Sequence, residues 1–298
     1  LMKAVVRTKS KLTVKEVKTP TPGNQEILIR VHAATVTSGD LFMHQLPRAA
    51  FVAISLLGLK YKPTPGHEFS GVVEAIGEDV TRFKVGDAVF GTTTGLSVGS
   101  NAEYLCLPES WKNGVIAPKP ANLSFTEAAA LPVGAMTAMY FLKKVDVKPD
   151  QQVLVYGASG SVGSYAVQIA KRIGAKVTAV CSTRNVDLVT SLGADEVIDY
   201  KTSDFAESGT TYDVIFDAVG KTTSQQRKRT LKQEGRFVTI RSIAGETEQV
   251  FQDVLAMAEG GHIKPLIDRC YGLDEITDAY QYVDTGRKKG NVVINVAS

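Results

Sequence analysis

The chain has 298 residues, a formal net charge of +3 and 44% hydrophobic residues. This length suits two domains with buried cores, and so weak a positive charge gives no reason to expect a nucleic-acid partner. The cysteines Cys106, Cys181 and Cys270 are too widely spaced for a disulfide framework or a CxxC zinc pattern. With no apolar leader at its start, the chain is expected to be cytoplasmic.

Short strand-like stretches dominate the chain up to about Lys119. Ile27–Val31 follows a Pro-Gly turn, and Gly71–Ile76 and Ala88–Phe90 lie next to glycines. Helical periodicity is scarce here, so the pattern predicts a β-rich barrel or sandwich. The apolar run Ala49–Leu59 is too short to span a bilayer, which takes about 20 residues, and is expected to form a buried helix or a pocket wall.

From about Pro120 the pattern changes to alternating strands and helices. The apolar run Val153–Tyr156 precedes Val162–Ile173, where apolar residues recur at helical spacing. Further segments continue the alternation: Val177–Cys181, Asn185–Leu192, Glu196–Tyr200, Tyr212–Phe216 and Arg236–Ile240. This order predicts an α/β fold with a doubly wound parallel sheet. A β-type run at Asn291–Val296 is expected to return to the first domain.

The strongest functional signal is the glycine loop Gly157–Gly163, between a predicted strand and a predicted helix. Gly157 permits a tight turn, Gly160 lets the backbone approach a pyrophosphate, and Gly163 lets the helix pack closely on the sheet. The N–H groups at the helix start would face the phosphates. The spacing is G-x-x-G-x-x-G rather than G-x-G-x-x-G, but its setting indicates a dinucleotide site.

The end of the second strand of this domain predicts which dinucleotide binds. An NAD enzyme has an acidic residue there, about 20 residues after the glycine loop, to hold the ribose 2′-hydroxyl. Here Ser182 and Arg184 take that place. A hydroxyl and a guanidinium donate hydrogen bonds to a 2′-phosphate, which a carboxylate would repel, so we expect NADPH. The alternative is that Arg184 is only a solvated residue at a helix start.

Several further motifs accompany the glycine loop. They are Pro65–Gly77, Phe83–Phe90, Ala128–Gly134 with Thr137, Leu192–Asp195, Val197–Tyr200 and Gly286–Val293. Together they resemble the zinc-free quinone oxidoreductase branch of the medium-chain dehydrogenase/reductase superfamily, over nearly the whole chain. The resemblance implies a β-rich GroES-like catalytic domain, residues 1–119 with 268–298, and a Rossmann NADPH-binding domain, residues 120–267.

Zinc-containing and zinc-free members of this superfamily differ at the metal ligands. Thr37 stands where the zinc enzymes have their first cysteine ligand, and the third would fall near Val133 or Gly134. The closely spaced cysteines of a structural zinc lobe have no counterpart after Asp87. His67 alone remains, whereas catalytic zinc takes three protein ligands. The resemblance therefore implies a protein without a metal.

The resemblance also implies which residues hold the cofactor. The expected contacts are Ser159, Gly160, Ser161 and Val162 at the pyrophosphate, Ser182 and Arg184 at the 2′-phosphate, Tyr200 near the adenosine phosphate, Thr137, Val219 and Ile243 flanking the nicotinamide half, and Lys289 and Asn291 closing over the cofactor. The run Arg287–Lys289 is, however, also typical of a solvated surface turn.

Without a metal, the chemistry must suit simple hydride transfer to an acceptor that stabilises the resulting charge. Quinones do so, and so do conjugated enones and enals, with the protein supplying orientation and a dry cleft. The candidate proton donors or orienting residues are Asp40, Tyr61 and His67. Three functions remain open: a quinone reductase, an alkenal, enone or enoyl reductase, and an NADPH-binding sensor or interaction protein with little turnover.

The resemblance implies a homodimer formed through the last strands of the Rossmann sheet, where a partner would cover an open edge. Arg236–Ile240 fits the strand before that edge, but Ile243–Glu248 then runs almost directly into the helix-like Val250–Glu259. Either the usual dimer strand is deleted, which favours a monomer, or a mobile segment is missing from the sequence.

Overall fold

The structure, a computed structural model, describes residues 1–8, 11–46, 62–242, 244–245 and 247–296. The apolar run Ala49–Leu59 and two candidate site residues, Tyr61 and Ile243, lie outside these ranges. The contacts divide the chain into two compact units. Unit 1 comprises Leu1–Pro132 and Ile267–Ser298, and unit 2 comprises Val133–Leu266.

Unit 1 is built mainly from antiparallel strands. Its strands are β1 (Met2–Thr8), β2 (Lys11–Val17), β3 (Glu26–Val36), β4 (Glu68–Ile76), β5 (Ala88–Thr92), β6 (Tyr104–Pro108), β7 (Ile116–Pro118), β13 (Ile267–Gly272) and β14 (Asn291–Asn295). β1 pairs with β2, and the main sheet has the order β13-β14-β3-β4-β5-β7, with β6 also paired to β3. β14 pairs with β3, as the β-type run near the end of the chain predicted.

Three helices of unit 1 were not evident from sequence periodicity. They are α1 (Ser38–Gln45), α2 (Phe125–Ala129) and α8 (Ile276–Asp284). α2 packs on β3 and β4, and the Ser70 hydroxyl donates to the carbonyl of Phe125 at 2.6 Å. Because of this packing, the contacts place the boundary of unit 1 after Pro132, later than the boundary after Lys119 drawn from the sequence.

Unit 2 has the Rossmann topology that the alternating pattern predicted. Its elements are α3 (Pro132–Lys144), β8 (Gln152–Tyr156), α4 (Ser161–Ile173), β9 (Lys176–Cys181), α5 (Val186–Ser191), β10 (Glu196–Asp199), β11 (Tyr212–Asp217), α6 (Ser224–Thr230), β12 (Leu231–Thr239) and α7 (Glu248–Glu259). The strands are parallel and lie in the order β10-β9-β8-β11-β12. The chain therefore reverses its winding direction between β8 and β11, which is where a doubly wound sheet binds its ligands.

The burial of these elements follows from their sequences. Val153, Leu154 and Val155 of β8 are fully buried, as expected for a central parallel strand covered on both faces. Helix α4 buries Ala166 and Ile169 on one side and ends at Gly174, whose left-handed conformation closes its last turn. No helix within the described ranges is long and apolar enough to cross a membrane.

Candidate functional site

The glycine loop in unit 2 leaves room for a ligand at one glycine only. Gly157 has a φ of +81°, and a Cβ there would lie 2.2 Å from Cγ2 of Val219. A Cβ at Gly163 would lie 2.2 Å from the carbonyl oxygen of Gly157. At Gly160 the nearest atom would be 3.4 Å away, so that side of the loop is open. Gly157 and Gly163 are thus needed for the fold, and Gly160 leaves space for a bound group.

The open glycine coincides with the start of helix α4. Gly160 is the N-cap residue and has no side chain with which to hydrogen-bond the N–H groups of the first turn. The first turn, which contains Ser161 and Val162, carries no acidic residue that would repel an anion. A helix start of this kind favours a phosphate through its N–H groups and its dipole. The predicted pyrophosphate residues are therefore brought together at the carboxyl end of β8.

The strand-end turn after β9 lies next to this loop. Asn185 is buried, and its Nδ2 donates to Oγ of Ser159 at 2.9 Å and to Oγ of Ser182 at 3.3 Å. Arg184 is exposed on the same turn, Thr183–Asn185. The structure thus joins two predicted phosphate-binding residues through Asn185, which the sequence analysis missed. An asparagine before a helix looks like an ordinary cap, so the sequence carried no functional signal here.

Tyr200 borders a cleft at the carboxyl ends of the strands of unit 2. Its side chain is 48% exposed, and its ring lies 6.5 Å from that of Tyr156, centroid to centroid. The cleft has a volume of about 360 Å³ and is lined by Tyr156, Tyr200, Lys201, Thr202, Ser203, Asp204, Phe205 and Gln226. Aromatic walls with a few polar groups are typical of small-ligand sites, so this cleft can accept an aromatic group.

A buried carboxylate fixes the loop that follows β11. Asp217 Oδ1 accepts from the N–H groups of Val219 and Gly220, at 3.1 and 2.7 Å, and Oδ2 accepts from the N–H and hydroxyl of Thr222, at 2.8 and 2.7 Å. Burial alone would raise the pKa of Asp217, but these hydrogen bonds outweigh it and lower the pKa. The loop holds Val219 against Gly157, at the point where the winding reverses.

Thr137 lies half-buried on helix α3, one turn after Gly134. A Cβ at Gly134 would lie 2.5 Å from Oγ of Ser161, so the start of α3 packs directly against the first turn of α4. The glycine at this position explains why the Ala128–Gly134 motif accompanies the glycine loop. Thr137 is thereby placed near the predicted cofactor residues of unit 2, and its contact with the nicotinamide stays a prediction.

Two catalytic candidates form a pair in unit 1. Oδ1 of Asp40 lies 2.5 Å from Nδ1 of His67, and Oδ2 accepts from the N–H and hydroxyl of Thr37, at 2.9 and 2.7 Å. Asp40 is buried, whereas the His67 side chain is 23% exposed. Burial would raise the pKa of Asp40, but His67 and Thr37 together lower it. The pair, which we call the Asp40–His67 dyad, thus fixes one imidazole nitrogen of His67.

The basic turn before β14 is less solvated than its sequence suggested. Nζ of Lys288 donates to the carbonyl of Gly290 at 2.7 Å, and burial lowers the pKa of Lys288 to about 8 despite the nearby Glu68 and Asp268. Lys289 donates its N–H to Asp268 at 2.8 Å.

Asn291, the other C-terminal residue expected to close over the cofactor, is buried at the start of β14. Lys289 and Asn291 both belong to unit 1. Their contact with the cofactor stays a prediction.

The described residues include no group of three or more His, Cys, Asp or Glu side chains that could hold a metal ion. Thr37, at the position of the first zinc ligand, instead caps helix α1 through a reciprocal pair of hydrogen bonds with Asp40. His67, which would be a ligand in a zinc enzyme, has Asp40 on its Nδ1. Thr37, Asp40 and His67 are therefore engaged with one another, and the absence of zinc stays a prediction.

Family models match both halves of the chain. Residues 23–120 match the alcohol dehydrogenase GroES-like domain, and residues 161–264 and 241–294 match two zinc-binding dehydrogenase models. Relatives include a tomato (Solanum lycopersicum) 2-methylene-furan-3-one reductase, 32% identical over 98% of this chain and 76% of its own length. A chloroplastic NADPH-dependent alkenal/one oxidoreductase of Arabidopsis thaliana is 30% identical over 97% of this chain and 76% of its own length.

A solved structure agrees with these matches. The quinone oxidoreductase of Coxiella burnetii superposes with a TM-score of 0.86 and 27% sequence identity, covering 99% of both chains. The β-rich unit 1, the Rossmann sheet of unit 2 and the relatives all point to the same family. The chain belongs to the medium-chain dehydrogenase/reductase superfamily, in its zinc-free quinone oxidoreductase branch.

Proposed function

We propose that this protein is an NADPH-dependent oxidoreductase that transfers hydride to a quinone without zinc. The observation that carries the proposal is the open side of Gly160 at the start of α4, joined through Asn185 to the turn that bears Ser182 and Arg184. The open side of Gly160 suits a pyrophosphate, and the turn with Ser182 and Arg184 suits a 2′-phosphate. The substrate would be a small, hydrophobic electrophile.

The choice of NADPH over NADH rests on the end of β9. An enzyme selective for NADH would carry a carboxylate there to accept from the ribose 2′-hydroxyl. Ser182 is half-buried and shares the amide of Asn185 with Ser159 of the glycine loop, and Arg184 is exposed on the turn that follows. Arg binds phosphate through paired, charge-assisted hydrogen bonds. The name of the Arabidopsis relative, which specifies NADPH, supports the same choice.

The residues of this chain bind the cofactor and supply a proton to the reduced substrate. When bound, the nicotinamide supplies the hydride. The glycine loop binds the phosphates, and Asp217 holds Val219 in place beside Gly157. The oxygen of the reduced substrate needs a proton, and His67 is the proposed donor, because the buried carboxylate of Asp40 binds its Nδ1 and orients the ring.

Quinones and conjugated enones are the two substrate classes to be separated. Hydride reduction of a quinone yields an aromatic oxyanion, whereas an enone takes hydride at carbon and places the charge on an enolate oxygen. The similarity to a quinone oxidoreductase favours the first class, and the names of the tomato and Arabidopsis relatives favour the second. An alkenal or enone reductase is therefore the second candidate.

A substrate panel tests the proposal. NADPH oxidation is followed with simple quinones, enones and enals, and kcat/KM is compared between classes. We expect turnover with quinones to exceed turnover with enones, and activity to survive dialysis against a chelator. Higher kcat/KM for enones would favour the second candidate, and tight NADPH binding without turnover would indicate a sensor or interaction protein. About one zinc per chain, lost together with activity, would contradict zinc independence.

The homodimer is also a proposal. β12 is the last strand in the row β10-β9-β8-β11-β12, and a second copy placed beside it would cover the edge of the sheet. Light scattering at micromolar concentration is expected to give the mass of two chains. The mass of one chain would show that the edge is left open, as a deleted dimer strand would predict. The cytoplasmic location likewise stays a prediction.

A further inference from the structure

Asn185 links two segments that are far apart in the sequence. It ends the turn Thr183–Asn185 and is 5% exposed. Its Nδ2 donates to Oγ of Ser159, in the glycine loop, and to Oγ of Ser182, at the end of β9. A single amide group therefore touches both places where the proposed cofactor carries phosphate.

The side chain of Asn185 does not do what its position suggests. Asparagine is favoured as the N-cap of a helix because its side chain accepts from a first-turn N–H. Asn185 is the N-cap of α5, yet its side chain makes no capping hydrogen bond. Its Oδ1 is buried without a hydrogen-bond partner. A buried polar atom without a partner disfavours folding, so stability alone does not explain this arrangement.

The direction of the hydrogen bonds decides what the two serines can do. Each serine hydroxyl has one hydrogen to donate, and the amide Nδ2 can only donate. Because Ser159 and Ser182 accept from Asn185, each hydroxyl hydrogen stays available for another acceptor. Turned over, the amide would take both hydrogens through Oδ1 and leave the serines with lone pairs only. An anionic ligand selects the first orientation.

We infer that Asn185 is a positioning residue that fixes the hydroxyls of Ser159 and Ser182 as donors, one to the pyrophosphate and the other to the 2′-phosphate of NADPH. The inference rests on the proposed function, because it assumes an NADPH site at these residues. It adds that the two phosphate contacts are coupled through one side chain. NADH lacks the 2′-phosphate and would use only the Ser159 contact.

The experiment measures the dissociation constants of NADPH and NADH by calorimetric titration, without substrate. The variants are Asn185→Ala, Asn185→Asp, Ser182→Ala and the double variant Asn185→Ala/Ser182→Ala. Ser191→Ala is the matched control, because this exposed serine lies on the same helix and its hydroxyl only bonds the carbonyl of Leu188. Thermal unfolding of each variant reports whether it folds.

We expect Asn185→Ala to weaken NADPH binding by about tenfold and NADH binding by less. Asn185→Asp should weaken NADPH binding further, because its carboxylate accepts hydrogen bonds from both serine hydroxyls and repels phosphate. This variant also tests the inference if the alanine variant does not fold. In the Asn185→Ala background, Ser182→Ala should weaken NADPH binding by a smaller factor than it does in the wild type. Independent, multiplicative effects of the two substitutions, or NADPH binding unchanged by either Asn185 variant, would overturn the inference. A wild type that binds neither cofactor would instead refute the proposed function.

Discussion

The two polar sites of this molecule are built in different ways. In unit 2 the glycine loop owes its shape to the absence of side chains, since a Cβ at Gly157 or Gly163 would lie 2.2 Å from a neighbouring atom. In unit 1 the Asp40–His67 dyad depends on side chains, and a buried carboxylate is kept ionised by the groups around it. The first site is therefore sensitive to added volume, and the second to lost charge and lost hydrogen bonds.

The largest effect is expected when volume is added to the glycine loop. In Gly163→Ala the new Cβ would meet the backbone of Gly157 and Ala158, which cannot move without displacing the start of α4. We expect a loss of about 3 kcal/mol or more in the free energy of unfolding, measured by denaturant titration.

Gly160→Ala is the matched comparison within the same loop. Its φ of −81° suits alanine, and its Cβ would make only ordinary contact at 3.4 Å. The fold should therefore tolerate the change within about 0.5 kcal/mol, while NADPH binds at least about tenfold more weakly because the methyl group occupies the phosphate approach. If Gly160→Ala lowered the free energy of unfolding as much as Gly163→Ala, Gly160 would be needed for folding and not for binding alone.

A smaller effect is expected from loss of charge in the dyad. Asp40→Asn keeps one carbonyl oxygen, which cannot serve both Thr37 and His67. We expect the free energy of unfolding to fall by about 1.5–3 kcal/mol near neutral pH. NADPH affinity should hardly change, because the proposed phosphate contacts lie in unit 2.

The pH dependence follows from the sign of the pKa shift at Asp40. Because its folded pKa lies below the ordinary value, its stabilisation is complete above the unfolded pKa and is lost as the pH falls through the folded one. The difference between wild type and Asp40→Asn should therefore shrink below about pH 4. A difference that grows on acidification would contradict an ionised Asp40.

The smallest effect concerns Lys288, where a buried charge is destabilising. Lys288→Met should raise the free energy of unfolding at pH 7 by about 1 kcal/mol, since the ammonium is only partly exposed and its pKa is lowered to about 8. As the pH rises from 8 to 10.5, the folded wild type loses this proton before the unfolded chain does. The wild type is thereby stabilised, and the advantage of the variant should disappear.

Exposed Lys84 supplies the control for Lys288, because Lys84→Met removes one positive charge from the surface. Its effect on stability should be small at pH 7. If Lys288→Met destabilised the protein at pH 7, hydrogen bonding to Gly290 would outweigh the cost of burial. The pH series would then show no gain for the wild type above pH 8.

Sequence patterns predicted the parts of the molecule that depend on local periodicity. The strand β8 and the helix α4 lie within a residue or two of Val153–Tyr156 and Val162–Ile173, because a buried parallel strand and an amphipathic helix leave strong signals. Helix α1 was missed because it is only eight residues long and is set by the Thr37–Asp40 capping box. Short helices of this kind carry little periodicity.

The site was predictable where single residues have distinctive chemistry. Gly157, Gly163, Asp40 and His67 were named from the sequence, and the structure places them in the loop and the dyad. Asn185 and Asp217 were missed because their roles come from tertiary contacts: Asn185 reaches a serine 26 residues away, and Asp217 organises a loop. An aspartate at the end of a strand, before Gly220, was the available signal for Asp217.

Titration of the wild type and Arg184→Ala with NADPH and NADH shows whether the end of β9 selects the cofactor. We expect the wild type to prefer NADPH and the substitution to weaken NADPH binding by about ten- to a hundredfold, since a charged partner of a phosphate is lost. NADH affinity should hardly change. Equal weakening of both cofactors, or tighter binding of NADH by the wild type, would contradict the assignment of Ser182 and Arg184 as the 2′-phosphate site.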